Sequence, residues 1–241
     1  SAPGSPKLRE PGVGVAEVFL ESPHHETAFR NLSPSQAKDA IRAWRDRLRF
    51  WRDDDRLAFA QVFKNEGLAA GASVEHCHSQ LIGISFVPRE VAQELEHLAH
   101  LRGLGGVCPF CQWVEAGARN DRFVVESNRF VAFCPPAPRF PGEVWLLPRF
   151  HIHAFETLSE DKLAELSGVL QNLLTRVDRA FGAPAYNLIV KTPPFRHAGT
   201  YHWRIEVLPR TTSTAGWEWG TGLLINTMFP ERAAELLRAA G

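Results

Sequence analysis

Residues 65–80 read N-E-G-L-A-A-G-A-S-V-E-H-C-H-S-Q, and the rest of the chain is organised around them. The loop at 67–73 carries almost no side-chain bulk, so its backbone N–H groups can approach an anion closely, as phosphate-cradling turns do. Residues 76–85 have the pattern of a strand. Residues two apart on a strand share a face, so His76, His78 and Gln80 are expected to point the same way. A single histidine there would more simply be a buried polar residue of the core. Two imidazoles and an amide beside a small-residue loop argue for chemistry.

The run is Phe63-Lys64-Asn65-Glu66-Gly67, then Ala69-Ala70-Gly71-Ala72-Ser73, then His76-Cys77-His78-Ser79-Gln80. It resembles the active-site signature of the galactose-1-phosphate uridylyltransferase branch of the histidine-triad superfamily, where F-x-N-x-G leads through a small-residue loop to H-x-H-x-Q. The wording A-G-A-S-x-x-H-x-H-S-Q is most similar to the ADP-glucose phosphorylase members of that branch. The resemblance implies nucleotidyl transfer through a covalent nucleotidyl-histidine. His78 would attack the α-phosphorus of a nucleoside-diphosphate sugar and release sugar 1-phosphate, with Asn65, Gly71, Ser73 and Gln80 around the phosphate. Imidazole serves as a nucleophile when one nitrogen is held protonated and the other is free. Two acceptors fit the family. A hexose 1-phosphate makes a uridylyltransferase of galactose metabolism, and inorganic phosphate makes an ADP-glucose phosphorylase. A homodimer is expected.

Composition agrees with an enzyme of small substrates. The 241 residues balance 27 basic against 27 acidic side chains, which suggests neither a nucleic-acid nor a membrane surface. No apolar run approaches the roughly 20 residues that span a bilayer. The opening S-A-P-G-S-P-K-L-R-E-P-G has no apolar core, so a cytoplasmic location is expected. Four cysteines make no disulfide framework, but Cys108 and Cys111 form a C-x-x-C that reads as metal or redox chemistry.

Along the chain, residues 13–20 alternate as a strand. Ser33-Pro34 is a helix start, followed by Ala37, Ile41, Trp44, Leu48 and Trp51 on one face. Strands are expected at 57–63, 122–126, 130–133, 143–147, 186–191, 202–208 and 221–225. Helices are expected at 88–101, 159–181 and 230–240, with a glycine-rich linker at 103–106. The pattern predicts an α+β fold of tandem histidine-triad-like halves, residues 1–102 and 103–241, each an antiparallel sheet with a long helix packed on it.

The halves repeat. One offset of 126 residues (151 − 25 = 202 − 76) relates His25 to His151 and His76 to His202, and also Leu32-Ser33 to Leu158-Ser159. Cys108, Cys111, His151 and His202 make the Cys₂His₂ set that suits zinc, with His153 as a competitor for His151. By the same offset the first half's cysteine pair would fall before Ser1. His25 and His76 are therefore expected to be two ligands of a first zinc site whose cysteines are outside this sequence, and the chain reads as part of a longer protein. In register with Asn65, His78 and Gln80 the second half has Lys191, Arg204 and Glu206, so only the first half keeps the nucleophile pattern. A rival of another class is a zinc-stabilised nucleotide-binding module without turnover. A metallohydrolase using His151-x-His153 is weaker, because the cysteines leave no open, water-holding position.

Overall fold

The protein is described here from a computed structural model, which covers residues 12–117 and 121–241. The elements run β1 (Gly14–Leu20), α1 (Pro34–Arg52), β2 (Phe59–Glu66), β3 (His78–Ile84), α2 (Arg89–Gly105), α3 (Pro109–Gly117), β4 (Phe123–Glu126), β5 (Phe130–Phe133), β6 (Val144–Pro148), α4 (Leu163–Phe181), β7 (Tyr186–Lys191), β8 (Arg204–Pro209), α5 (Gly216–Thr221) and α6 (Pro230–Ala239). The strands form one antiparallel sheet of eight, in the order β1-β3-β2-β7-β8-β6-β5-β4. The α+β expectation holds, and the two halves join edge to edge rather than forming separate sheets. The expected boundary at 102/103 falls inside α2.

The repeat offset is written into that junction. β1, β2 and β3 correspond to β6, β7 and β8, and the short 3₁₀ turns Phe29–Asn31 and Phe155–Thr157 correspond residue for residue. At the β2–β7 seam Phe63 pairs with Ile189, the residue that the offset equates with it. A pseudo-twofold axis therefore passes through this pair, and each half brings its long helix to the same side. The start of α1 follows from its sequence. Ser33 accepts from the Gln36 N–H at 3.2 Å while Gln36 accepts from the Ser33 N–H at 3.0 Å, and Pro34 occupies the first turn. Ala37, Ile41, Trp44 and Leu48 of α1 and Leu166, Leu170, Leu173 and Val177 of α4 bury themselves against Val62, Leu81, Leu188, Val190 and Ile205 of the sheet.

The other face is treated unequally. Over the second half α2 and α3 form a smaller core in which Leu98, Phe110 and Val114 meet Val131, Phe133 and Leu147. Over the first half Val18 and Leu20 of β1 and Ile82 of β3 are exposed.

Three expectations are corrected. The glycine-rich 103–106 is not a linker: α2 continues to Gly105 and ends at Gly106, whose φ of 69° and N–H bond to the Arg102 carbonyl close it. Glycine inside a helix costs about 1 kcal/mol and does not forbid it. The strand expected at 221–225 is absent. Glu218 accepts from the Ala215 N–H at 3.0 Å to begin α5 and Gly222 at φ 72° ends it, so local capping prevails over the apolar pattern. The strand bearing His78 begins at His78 itself rather than at residue 76, which leaves His76 in the preceding bend.

Candidate active site and metal centre

The site opens where two strands part. The β2–β3 ladder ends with Phe63 opposite Gln80, and β2 then follows β7 as far as Glu66. The chain turns at Gly67 (φ 84°), where a Cβ would stand 2.8 Å from the Cβ of Ala185, so no other residue fits without displacing the neighbouring loop. A 3₁₀ turn, Leu68–Ala70, and Gly71 at φ 86° complete the small-residue loop. Behind the parted strands lies a cavity of about 670 Å³ whose wall includes Arg30, Lys64, Asn65, Ser73, His76 and His78.

His78 is 6% exposed. Its Nδ1 lies 2.8 Å from the His76 carbonyl, which can only accept, so Nδ1 carries the proton and donates. Nε2 is thereby left with its lone pair. By the register of β2 and β3, Asn65 stands opposite His78 just beyond the last ladder pair. The Asn65 Oδ1 accepts from Asn187 Nδ2 at 2.9 Å, and the same amide of Asn187 donates to the Ala70 carbonyl at 2.9 Å. That bond turns the Asn65 amino group toward Gly71, where a Cβ would be 3.8 Å from it. Gln80 is half-buried, two residues further along the His78 face between Val18 and Phe63. Neither Gln80 nor Gly71 is on the cavity wall.

Several residues here carried no sequence signal beyond their spacing. Lys64 is buried, with Nζ 2.9 Å from Glu21 and from the His78 carbonyl. Burial alone would lower its pKa, but the carboxylates of Glu21 and Glu66 and the thiol of Cys77 raise it. Glu66 accepts from Tyr186 at 2.6 Å and from Arg30 at 3.1 Å, and Arg30 reaches Asp178 at 3.1 Å. Lys64 and Glu66 fill the two variable places of F-x-N-x-G. Asn187 and Asp178 come from the other half, so only folding could bring them here.

In the second half the equivalent place is closed by charge. Arg204, the counterpart of His78, bonds Glu206 at 2.6 Å and Glu94 of α2 at 2.7 Å, while Lys191 reaches Glu94 at 3.0 Å. Burial opposes the charge on Glu94, yet Arg204 and Lys191 hold its carboxyl down at about 2. This half keeps the architecture, with an ion-paired arginine where the first half has His78.

Cys108 precedes α3 and Cys111 lies in its first turn, His151 follows β6, and His202 precedes β8. Their ligand atoms all lie within 4.8 Å of one another. Cys111 Sγ is 3.4 Å from His151 Nδ1 and 3.5 Å from His202 Nδ1. Tetrahedral zinc with thiolate and imidazole ligands sets such edges at about 3.6 Å, so the donor set fits that ion. The His202 Nε2 donates to the Pro148 carbonyl at 3.1 Å, which leaves Nδ1 free for a cation. Burial and the neighbouring Cys108 push the Cys111 thiol up to about 12, a cost that a divalent cation removes. His153 is turned away, its Nε2 3.0 Å from the His197 carbonyl and its ring stacked on His197. His25 and His76 lie with ring centroids 6.0 Å apart at 65°, against 5.4 Å and 85° for His151 and His202. The first half therefore brings together the two histidines that the repeat pairs. Cys134 is fully buried in the main core.

Comparison with known proteins places these observations. Residues 8–88 match the family described as galactose-1-phosphate uridyl transferase, N-terminal domain, and residues 117–212 match the HIT domain. The chain is 32% identical over 232 residues to an ADP-glucose phosphorylase of Arabidopsis thaliana, aligning 94% of this chain but 65% of that protein. It is 28% identical to a galactose-1-phosphate uridylyltransferase of Thermotoga maritima over 97% of this chain and 76% of the relative. The crystal structure of an Arabidopsis thaliana ADP-glucose phosphorylase with bound ADP-glucose superposes with a TM-score of 0.88 at 30% identity, covering 93% of this chain and 73% of that one. The chain thus spans about two-thirds of the length of its curated Arabidopsis relative.

Proposed function

From the premise that this chain belongs to the galactose-1-phosphate uridylyltransferase family of histidine-triad proteins, we propose that it transfers a nucleotide from a nucleoside-diphosphate sugar through a nucleotidyl-His78 intermediate. One observation carries the reading: the His78 Nδ1–H is committed to the His76 carbonyl beside a glycine-bearing loop and a cavity of phosphate-sugar size. Nε2 attacks the α-phosphorus, the bond to the sugar phosphate breaks, and sugar 1-phosphate leaves. The bond from Nδ1 to the His76 carbonyl supports the positive charge that grows on the ring. The amino group of Asn65 and the Ser73 hydroxyl, both on the cavity wall, stabilise the phosphoryl oxygens as charge shifts, while Gly71 and Gln80, off that wall, shape the loop and the strand beside it. An acceptor phosphate oxygen then attacks the phosphorus and returns His78 to its starting state.

The first substrate reading is uridylyl transfer from UDP-glucose to a hexose 1-phosphate, supported by the galactose-1-phosphate uridylyltransferase relatives. The second is phosphorolysis of ADP-glucose, favoured by the A-G-A-S and H-S-Q wording and by the similarity to the ADP-glucose-bound structure. Cys108, Cys111, His151 and His202 would hold zinc in a closed four-ligand site, which cross-links α3 to the sheet rather than activating water. His25 and His76 would serve a first site, tying down the bend that aims His78. A cytoplasmic setting is part of this reading, since a reducing compartment keeps the cysteine pair available. So is a homodimer, for which the exposed apolar residues Val18, Leu20 and Ile82 are suited.

The test is incubation with labelled UDP-glucose and ADP-glucose, each acceptor supplied in turn, with intact mass recorded. A covalent nucleotide on the wild type and none on His78→Asn supports the transferase. A wild type that binds nucleotide sugar without gaining mass would instead make it a zinc-stabilised binding module.

A further inference from the structure

His78 has an incomplete backbone environment. The Glu21 N–H donates to the Cys77 carbonyl at 3.2 Å, so Cys77 faces β1 and the next residue turns its carbonyl toward β2. By that point β2 has left the ladder, which ended at Phe63 opposite Gln80. Among the described residues no strand N–H meets the His78 carbonyl. Lys64 meets it instead, with Nζ 2.9 Å away on a side chain that is 1% exposed. The charge is answered by Glu21 Oε2 at 2.9 Å and Glu66 at 3.8 Å. Cys77 Sγ lies 3.3 Å from Nζ and itself donates to Glu21 at 2.8 Å.

We propose that Lys64 is a positioning residue for His78: its buried ammonium replaces the missing strand donor and fixes the backbone from which the imidazole reaches the cavity. This deepens the nucleotidyl-transfer reading and rests on it. A purely stabilising ion pair explains the arrangement less well. A buried pair loses solvation, and apolar side chains of similar volume often stabilise as much or more. Glu21 Oε1, moreover, is buried with no hydrogen-bond partner among the described residues. An ammonium can do one thing here that an apolar side chain cannot, which is to donate to the His78 carbonyl. The ring is anchored by Nδ1 to the His76 carbonyl at 2.8 Å, so a tilt of the 76–78 backbone moves the ring and its anchor out of alignment.

The experiment compares the full chain as wild type, Lys64→Met, and Glu21→Gln with Lys64→Met together. The single variant strands the Glu21 carboxylate and is expected to lose stability. The double variant removes both charges, so its melting temperature should return close to wild type while the His78 carbonyl still lacks its donor. Two readouts are taken on the double variant. The ¹⁵N signals of the His78 ring should report a single tautomer with Nδ1 protonated in the wild type and a mixture in the variant. Formation of nucleotidyl-His78 should be slower by roughly 10- to 100-fold, the scale of a misplacement of about 1 Å, and Lys64→Arg should restore part of it. A double variant with the wild-type tautomer, or one labelled at the wild-type rate, would overturn the proposal. If the wild type itself takes no label, the transfer reading fails and the ring signals alone decide the role of Lys64.

Discussion

At the scale of single residues, the site depends on side chains that hold others. The proposed transfer needs the Asn65 amide to face the phosphate, and Asn187 sets its orientation through the bond to Oδ1. Asn187→Ala should therefore let the Asn65 amide rotate. We expect nucleotidyl transfer to fall by roughly ten-fold, the worth of one lost hydrogen bond of 1–1.5 kcal/mol, with the midpoint of urea unfolding little changed. A large loss of stability with the rate per folded molecule intact would show Asn187 to be a seam residue only. Glu94 makes a prediction in pH. Its folded-state pKa of about 2 lies below the ordinary value of 4.5, so its contribution is present above pH 4.5 and is lost as pH falls toward 2. Glu94→Gln should cost stability on the order of 2–3 kcal/mol at neutral pH. It should also flatten the acid limb of the stability curve in that window, as urea titrations at stepped pH would report.

Elements supply what residues cannot. The small-residue loop keeps its shape because Gly67 adopts a positive φ against Ala185 of the opposite half. Gly67→Ala combines an unfavourable φ with a contact of 2.8 Å, and a loss of about 1–3 kcal/mol is expected on chemical denaturation. A stability within 0.5 kcal/mol of wild type, on the scale of ordinary surface substitutions of about that size, would show that the loop can relax there freely. α2 illustrates the same level. It runs through the glycines that suggested a linker because its inner face has Leu98 to bury and Glu94 to pair with Arg204. Tertiary contacts offset a weak propensity.

The whole molecule is one sheet made twice. Joining the halves at β2 and β7 brings Asp178, Asn187 and Ala185 to the first half's loop, so the site belongs to neither half alone. The second half has Arg204 where the first has His78, held in a charge cluster under α2, and it brings the Cys₂His₂ set of α3 and the strands together. Cys111→Ser should therefore lower zinc content from about one per chain toward zero and the melting temperature by on the order of 10 °C. Zinc quantified beside a thermal melt checks both, and a metal-free wild type melting at the temperature of the zinc-loaded protein would contradict it.

Local signals in the sequence were enough for whatever depends on neighbours along the chain or on repetition. The Ser33 cap, the faces of α1 and α4, the 126-residue offset and the Cys₂His₂ pattern could all be read from spacing alone. That is because side-chain periodicity and capping act over a few residues, and a duplicated fold repeats its ligand positions. The strand ends beside the site could not, since β3 begins at His78 rather than at residue 76 and β2 runs on to Glu66. The folded structure alone decided how the two halves meet and what surrounds His78. Lys64 under the His78 carbonyl, Asn187 on Asn65 and Glu94 between Arg204 and Lys191 are contacts between strands or helices far apart in sequence. Their partners are set by which edges pair and where a ladder ends. Those are outcomes of packing, and no local pattern encodes them.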